Sequence, residues 1–376
     1  MLIRFSAVAM TLALSSWFFP QSASPADAPS RLAIYYGYPS LINGSRGDVE
    51  KAASVFSGYQ VVVLGDGIEF TDRRPGRYPE GDPDEHQKAV QIIAATLRRN
   101  PKTRFYGYVC LGDIQLPGQK PLSLAPQELE ERVRLWKAMG VTGIFLDEAG
   151  YDYPVVTRKR QNMAVRLIHK LGLSAFMNAY FLDHLFSTEE ALPNANGIGK
   201  NPEHALPLLN QHDLFLLESF QVKNGAYEDV SAWRPRLTQA LRYRRQFGTR
   251  IFATTTTTQQ EPLQSVKFSY SWWTAWLYGL DGFSWGEPNF AAASNLLPDR
   301  LCRPEDATLD ARDEPSVVHS DNTRFWRKAG RFVVIVDSKA HAVRRVPLAG
   351  TSESTDVQEL LRSPQAQTLT ICGGRP

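Results

Sequence analysis

The chain has 376 residues, is 43% hydrophobic and 11% aromatic, and carries a formal net charge of +3 with three cysteines. That length is enough for one α/β barrel of about 250 residues plus a smaller unit. The near-balanced charge, without any block of five or more Lys/Arg, argues against a nucleic-acid partner, and the lack of a C-x-x-C spacing argues against a thiolate zinc site.

Residues 1–28 read as an export signal. Arg4 supplies the charged start, Phe5–Phe19 is mostly apolar, and small residues follow in Gln21–Ala28. The expected location is therefore secreted or periplasmic, with an uncleaved membrane anchor as the alternative. No other segment is long and apolar enough to span a bilayer. In an oxidising compartment Cys302 and Cys372 are expected to pair across the C-terminal region, leaving Cys110 in the core.

From residue 31 onward, short β-rich runs alternate with amphipathic stretches. The strand-like runs are Leu32–Tyr36, Tyr59–Leu64, Arg104–Cys110, Gly143–Leu146, Leu173–Asn178, Asp213–Glu218, Arg250–Thr255 and Gly282–Trp285. Helical patterns cover Asp84–Arg99, Pro126–Met139, Val156–Leu171, Val230–Phe247 and Ser265–Tyr278. Alternation of this kind indicates βαβ units and a parallel sheet. Eight strands at regular spacing, with no G-x-G-x-x-G after any of them, favour an α/β fold of the (β/α)8 TIM-barrel type over 31–290 rather than an open doubly wound sheet. Residues 291–376 change character. A Pro/Asp/Arg-rich stretch over 296–322 reads as loop, and 331–338, 342–346 and 367–372 read as strands of a small β-rich appendage.

Barrel enzymes build their sites on the C-terminal ends of the strands, which makes those ends an inventory. Strand 1 ends in Tyr36 and Tyr38, strand 2 in Asp66 and Glu69, and strand 3 in Asp113. Strand 4 ends in Asp147-Glu148, strand 5 in Asn178 and Tyr180, strand 6 in Glu218, and strand 8 in Trp285 and Glu287. Asp66 and Asp113 stand beside glycines, where a turn or a helix cap is the better account of an acid. Asp147 and Glu218 follow unbroken apolar runs, and a carboxyl held at the lip of a dry barrel is suited to acid/base work. Because successive strand residues face opposite ways, only one of Asp147 and Glu148 can point over the mouth. Trp285 is the expected sugar platform, whereas the tryptophans of "SWWTAWLYG" have the helical spacing of core residues.

The segments "YYGYPS" (35–40), "VVVLGDGIE" (61–69) and "GIFLDEAGYDYP" (143–154) resemble secreted barrel glycosidases of the spherulin-4-like and endo-α-1,4-galactosaminidase kind. The resemblance covers roughly 31–290. It implies cleavage of galactosaminogalactan-like or other amino-sugar exopolysaccharides, with Asp147 and Glu218 as the catalytic pair, Glu148 beside them, and no cofactor or metal. Tyr36, Tyr38, Asp66, Asp113, Asn178, Tyr180, Trp285 and Glu287 are then the candidate substrate-binding residues. Where the strand-5 motif of that kind has Asn-Pro-Gly, this chain has Asn178-Ala179-Tyr180, which leaves the exact substrate open. The acidic inventory suggests a cationic sugar, and a retaining mechanism is expected. A sugar-binding barrel without turnover and a metal-dependent deacetylase or hydrolase are the alternatives; the oligomeric state is open.

Overall fold

The computed structural model describes residues 28–65, 67–74, 79–114, 122–189, 199–258, 265–297, 318–329, 332–347 and 367–368. Eight parallel strands close on themselves in sequence order. They are β1 (Ser30–Tyr35), β2 (Val61–Leu64), β3 (Arg104–Cys110), β4 (Gly143–Asp147), β5 (Ser174–Asn178), β6 (Leu214–Leu217), β7 (Arg250–Thr254) and β8 (Gly282–Ser284), and β8 returns to pair with β1. The helices are α1 (Val49–Phe56), α2 (Pro83–Arg99), α3 (Pro126–Ala138), α4 (Arg158–Lys170), the single turn α5 (Asp183–Phe186), α6 (Val230–Phe247) and α7 (Ser265–Leu277). This is a (β/α)8 TIM barrel. Segments α1 and α5, too short for a clear helical period, are the two helices that sequence patterning does not reveal.

Local chemistry fixes the helix starts. The Asp82 carboxylate accepts from the amides of Asp84 and Glu85, with Pro83 opening α2, and Asp48, Thr157 and Asp229 cap α1, α4 and α6 in the same way. Each cap sits just past a loop, so the chain leaves the strand end and turns down the outside of the barrel at a defined residue.

The strand pleat divides the apolar residues between two cores. Ile34, Val63, Tyr106, Phe145, Phe176, Leu216 and Phe252 fill the barrel interior, where the Phe145 and Phe176 rings meet edge-to-face at 5.1 Å. The intervening residues, Ala33, Val62, Phe105, Ile144, Phe215 and Ala253 among them, pack beneath the helices. At Gly107 a Cβ would overlap the Trp136 indole of α3, so this strand needs glycine for the helix to approach.

The C-terminal region is an antiparallel sheet of β9 (His319–Ser320), β10 (Arg324–Ala329), β11 (Phe332–Asp337), β12 (Ala342–Pro347) and β13 (Gln367–Thr368), in that order. Strands β9 and β10 fall where the sequence reads as loop or carries no strand signal. The run RFWRKA has too many charges, yet Phe325 and Arg327 are both buried. Phe325 packs 5.3 Å from Trp233 of α6, and Arg327 donates to the Trp276 and Leu277 carbonyls at the end of α7. The sheet is therefore seated on α6 and α7. Residues 1–27, nearly all of the expected signal segment 1–28, and both Cys302 and Cys372 lie outside the described residues, and Cys110 is a buried free thiol.

Glu69, counted by sequence among the acids of the mouth, is wholly buried. Its Oε1 accepts from Arg132 of α3 at 2.5 and 2.6 Å, and its Oε2 from the Gly67 amide at 2.8 Å. The pair fastens the β2 loop to α3. Arg132→Met leaves Glu69 buried without its cation and should lower unfolding free energy by about 3–5 kcal/mol, with much of that loss recovered in the double variant Glu69→Leu/Arg132→Met. Urea denaturation of both variants measures the difference.

Candidate active site

One step above the Phe145–Phe176 layer, the same inward face of each strand carries Tyr36, Tyr108, Asp147, Asn178 and Glu218. Glu218 and Tyr36 each lie one residue past a strand end, and Asp147 and Asn178 are the last residues of β4 and β5. Alternation thus carries the apolar interior directly into a polar cap, which is why the run Ile144-Phe145-Leu146 stops on an acid.

Asn178 joins the two carboxylates. Its Nδ2 donates to Asp147 Oδ1 at 2.8 Å and to Glu218 Oε2 at 3.0 Å, so those two oxygens lie within about 5.8 Å of each other. Asp147 Oδ1 also accepts from the Glu148 amide at 2.9 Å, and the Tyr108 hydroxyl donates to the same carboxylate. Burial raises the Asp147 pKa, against which the three donors work. Glu218 is raised by burial as well; the Asn178 bond opposes this, the neighbouring Asp147 charge adds to it, and Arg236 and Lys223 pull it back. The Tyr36 hydroxyl is pushed far up by burial and by both carboxylates, and its ring stands 5.1 Å from Tyr108.

Glu148 turns away, as the strand pleat requires. Its backbone is left-handed at φ 52°, and its Oε2 accepts from the Cys110 thiol at 3.3 Å. Burial, with added repulsion from Asp147, Asp113 and Asp152, pushes Glu148 up to about 7. Asp113 is mostly buried at the start of a short hairpin, close enough to Glu148 to act on it.

The remaining candidates divide. Tyr180 sits at the rim, 37% exposed, with the Arg236 guanidinium 4.5 Å and the Lys223 ammonium 4.9 Å from its ring. Arg236 also donates to the Glu218 carbonyl, so Tyr180 lies on the same face as Glu218. Glu287 is partly buried and raised to about 7 by that burial. Tyr38 is 46% exposed beside Asp82 at the start of α2, and no hydrogen bond ties it to the two carboxylates. Asp66 lies outside the described residues. Trp285 is corrected: it is 2% exposed, packed against Phe268 of α7 at 6.1 Å. It follows the inward Ser284, so its pleat position faces the helix layer rather than the mouth. Tyr108 and Arg236 were missed. The Tyr106/Tyr108 alternation on β3 carries a signal for the first; nothing in the sequence places Arg236, which comes from a helix. Among the described residues, no three His, Cys, Asp or Glu side chains are grouped so as to hold a metal ion.

The raised carboxyls have a consequence for stability. Between the ordinary carboxylate range and the raised values, the folded protein keeps protons that the unfolded chain has released, so stability falls as pH climbs through that window. At neutral pH the pair is a cost. Asp147→Asn and Glu218→Gln should each melt at the same temperature as the parent or higher at pH 7, with the advantage shrinking below pH 4; calorimetry at the two pH values checks this.

No family model matches the chain, and no curated protein matches it. Among solved structures, the chain is similar to the glycoside hydrolase domain of PelA from Pseudomonas aeruginosa, at 15% identity and a TM-score of 0.40, over 69% of this chain and 94% of that one. It is similar to Aspergillus fumigatus Ega3, solved in complex with galactosamine, at 13% identity and a TM-score of 0.38, over 73% and 97%. An N-acetylneuraminate lyase from Fusobacterium nucleatum matches at 11% identity and a TM-score of 0.36, over 70% and 71%. A hydrolase domain and a lyase at this level share a barrel and no more, so the chemistry has to be read from the residues.

Proposed function

We propose that the protein is an exported glycoside hydrolase that cleaves an amino-sugar-containing exopolysaccharide of the galactosaminogalactan type, with Asp147 and Glu218 flanking the scissile bond. The observation that carries the reading is the Asn178 amide shared between the two carboxyls. It holds one oxygen of each within about 5.8 Å of the other, which favours the ~5–5.5 Å of retaining glycosidases over the ~6.5–9.5 Å that leaves room for an inverting water.

The donors divide the roles. Asp147, with three of them, is the group whose anion is supported, and it attacks the anomeric carbon to form the glycosyl–enzyme ester. Glu218 has burial and the repulsion of Asp147 to keep its proton, against the single Asn178 bond, and it gives that proton to the leaving oxygen. It then takes a proton from the water that opens the ester. Tyr108 holds Asp147 in line, Tyr36 closes the floor between the two acids, and Asn178 keeps the spacing. Glu148 and Asp113, set to one side, offer negative charge to a substrate amine. Residues 1–28 would take the chain across a membrane to reach such a polymer.

Asp147→Asn and Glu218→Gln should each lower kcat on galactosaminogalactan by about 10²–10⁴-fold with the fold intact. Near-parental turnover in both would refute the site. Proton NMR of the first product should show retained anomeric configuration, and an inverted product would overturn the retaining mechanism alone.

The pH profile follows from the same pair. The rate should rise as pH climbs through the lower apparent pKa of the dyad, where Asp147 loses its proton, and fall through the higher one, where Glu218 does. Since burial raises both, the whole bell should be displaced above the ordinary carboxylate range. A kcat/KM profile already at its plateau at pH 4 would contradict the assignment.

A further inference from the structure

The C-terminal sheet does more than cover helices. Between it and the start of α6 lies a groove of about 820 Å³, a volume typical of small-molecule and sugar sites. One wall comes from the barrel, through Tyr227, Glu228 and Val230 at the head of α6. The other comes from two turns of the sheet, through Thr323 and Lys339. We propose that this groove is a distal glycan subsite, holding uncharged sugar residues of the same polysaccharide whose scissile bond sits at Asp147 and Glu218. The proposal rests on the functional reading above and extends it.

Three observations converge. The first is position. In a barrel of this kind the helix following a strand begins at the catalytic face, so the head of α6 opens beside the mouth. The hairpin of Val222–Lys223 with Ala226–Tyr227 spans the gap, with Lys223 against Tyr180 at the mouth and Tyr227 in the groove.

The second is connection. Glu228, in the groove, stands 3.8 Å from Arg236 Nη1, and Nη2 of the same guanidinium donates to the Glu218 carbonyl. One side chain therefore separates the groove from the catalytic acid.

The third is chemistry. The acids Glu228 and Asp229 are matched by Arg234 and Lys339, so the lining has no net charge with which to attract an anion or a polycation. At His341 burial lowers the pKa, against the opposing pull of the Asp337 carboxylate, which disfavours an added positive charge. Its ring lies parallel to that of Tyr227 at 3.7 Å and 5°. This apolar ring pair and short hydroxyl and amide side chains such as Thr323 and Asn322 make a mixed lining that suits an uncharged sugar. A long chain would then be held at two places, and a short one only at the mouth.

The test fills the groove from an exposed residue in a turn of the sheet, on the wall opposite Glu228. Thr323→Trp and its conservative control Thr323→Ser are assayed on long galactosaminogalactan and on its short oligosaccharide fragments. The expected result is a KM for the polymer about tenfold higher in Thr323→Trp, with kcat, the kinetics on fragments and the Thr323→Ser control unchanged. Equal loss on polymer and fragments, or no change on either, would overturn the subsite. If the parent cleaves no glycan at all, the functional reading fails separately. The groove is then judged by electrophoretic retardation in gels containing the polymer: retardation lost in Thr323→Trp supports it, and equal retardation or none sinks it.

Discussion

Everything at the mouth depends on the closure of the barrel. Once eight strands are joined edge to edge, each residue's side is set by its count along the strand, and no local adjustment can exchange inside for outside. Phe145 faces inward, so Asp147 must; Phe176 does, so Asn178 must; Leu216 does, so Glu218 must. The same rule sends Glu148 sideways toward Cys110 and carries Trp285 into the helix layer. Three polar side chains from β4, β5 and the end of β6 are thereby brought to one ring above an aromatic plug, without any of them contributing to the apolar core.

How much of this can be read from the chain follows from that rule. Short β-rich runs alternating with helical periods are local patterns, and they place all eight barrel strands and the five longer helices. The two acids are legible too, since each interrupts an apolar run that has no other reason to stop. Asn178 is visible as a strand-end amide, but its bridging role is not, because it depends on which atoms of three strands meet. Trp285 fails for a related reason: exposure cannot be inferred from a strand end without knowing the parity of that end. Arg236 is invisible for want of any period linking a helical arginine to a strand carbonyl 18 positions earlier. In the C-terminal region, β10 hides because its charged residues find burial on α7, where Arg327 meets two carbonyls of a helix end.

The buried Glu69 and the Asp147–Glu218 pair near the top of the barrel are treated in opposite ways, and the contrast separates structure from chemistry. Glu69 is given Arg132 and a backbone amide, so its carboxylate meets a cation inside the protein even though burial pushes its pKa up to about 8. Asp147 and Glu218 are given an amide, a hydroxyl and a backbone N–H, all of them neutral donors. Dipoles orient a carboxylate and soften its desolvation without cancelling its charge, and the nearest cation, Arg236, spends a direct hydrogen bond on the Glu218 carbonyl rather than on its carboxyl. A fold concerned only with stability would have placed the arginine on the carboxylate. Holding two acids side by side, raised in pKa and without a direct ion pair among the described residues, is a cost that the proposed proton exchange with a substrate would account for.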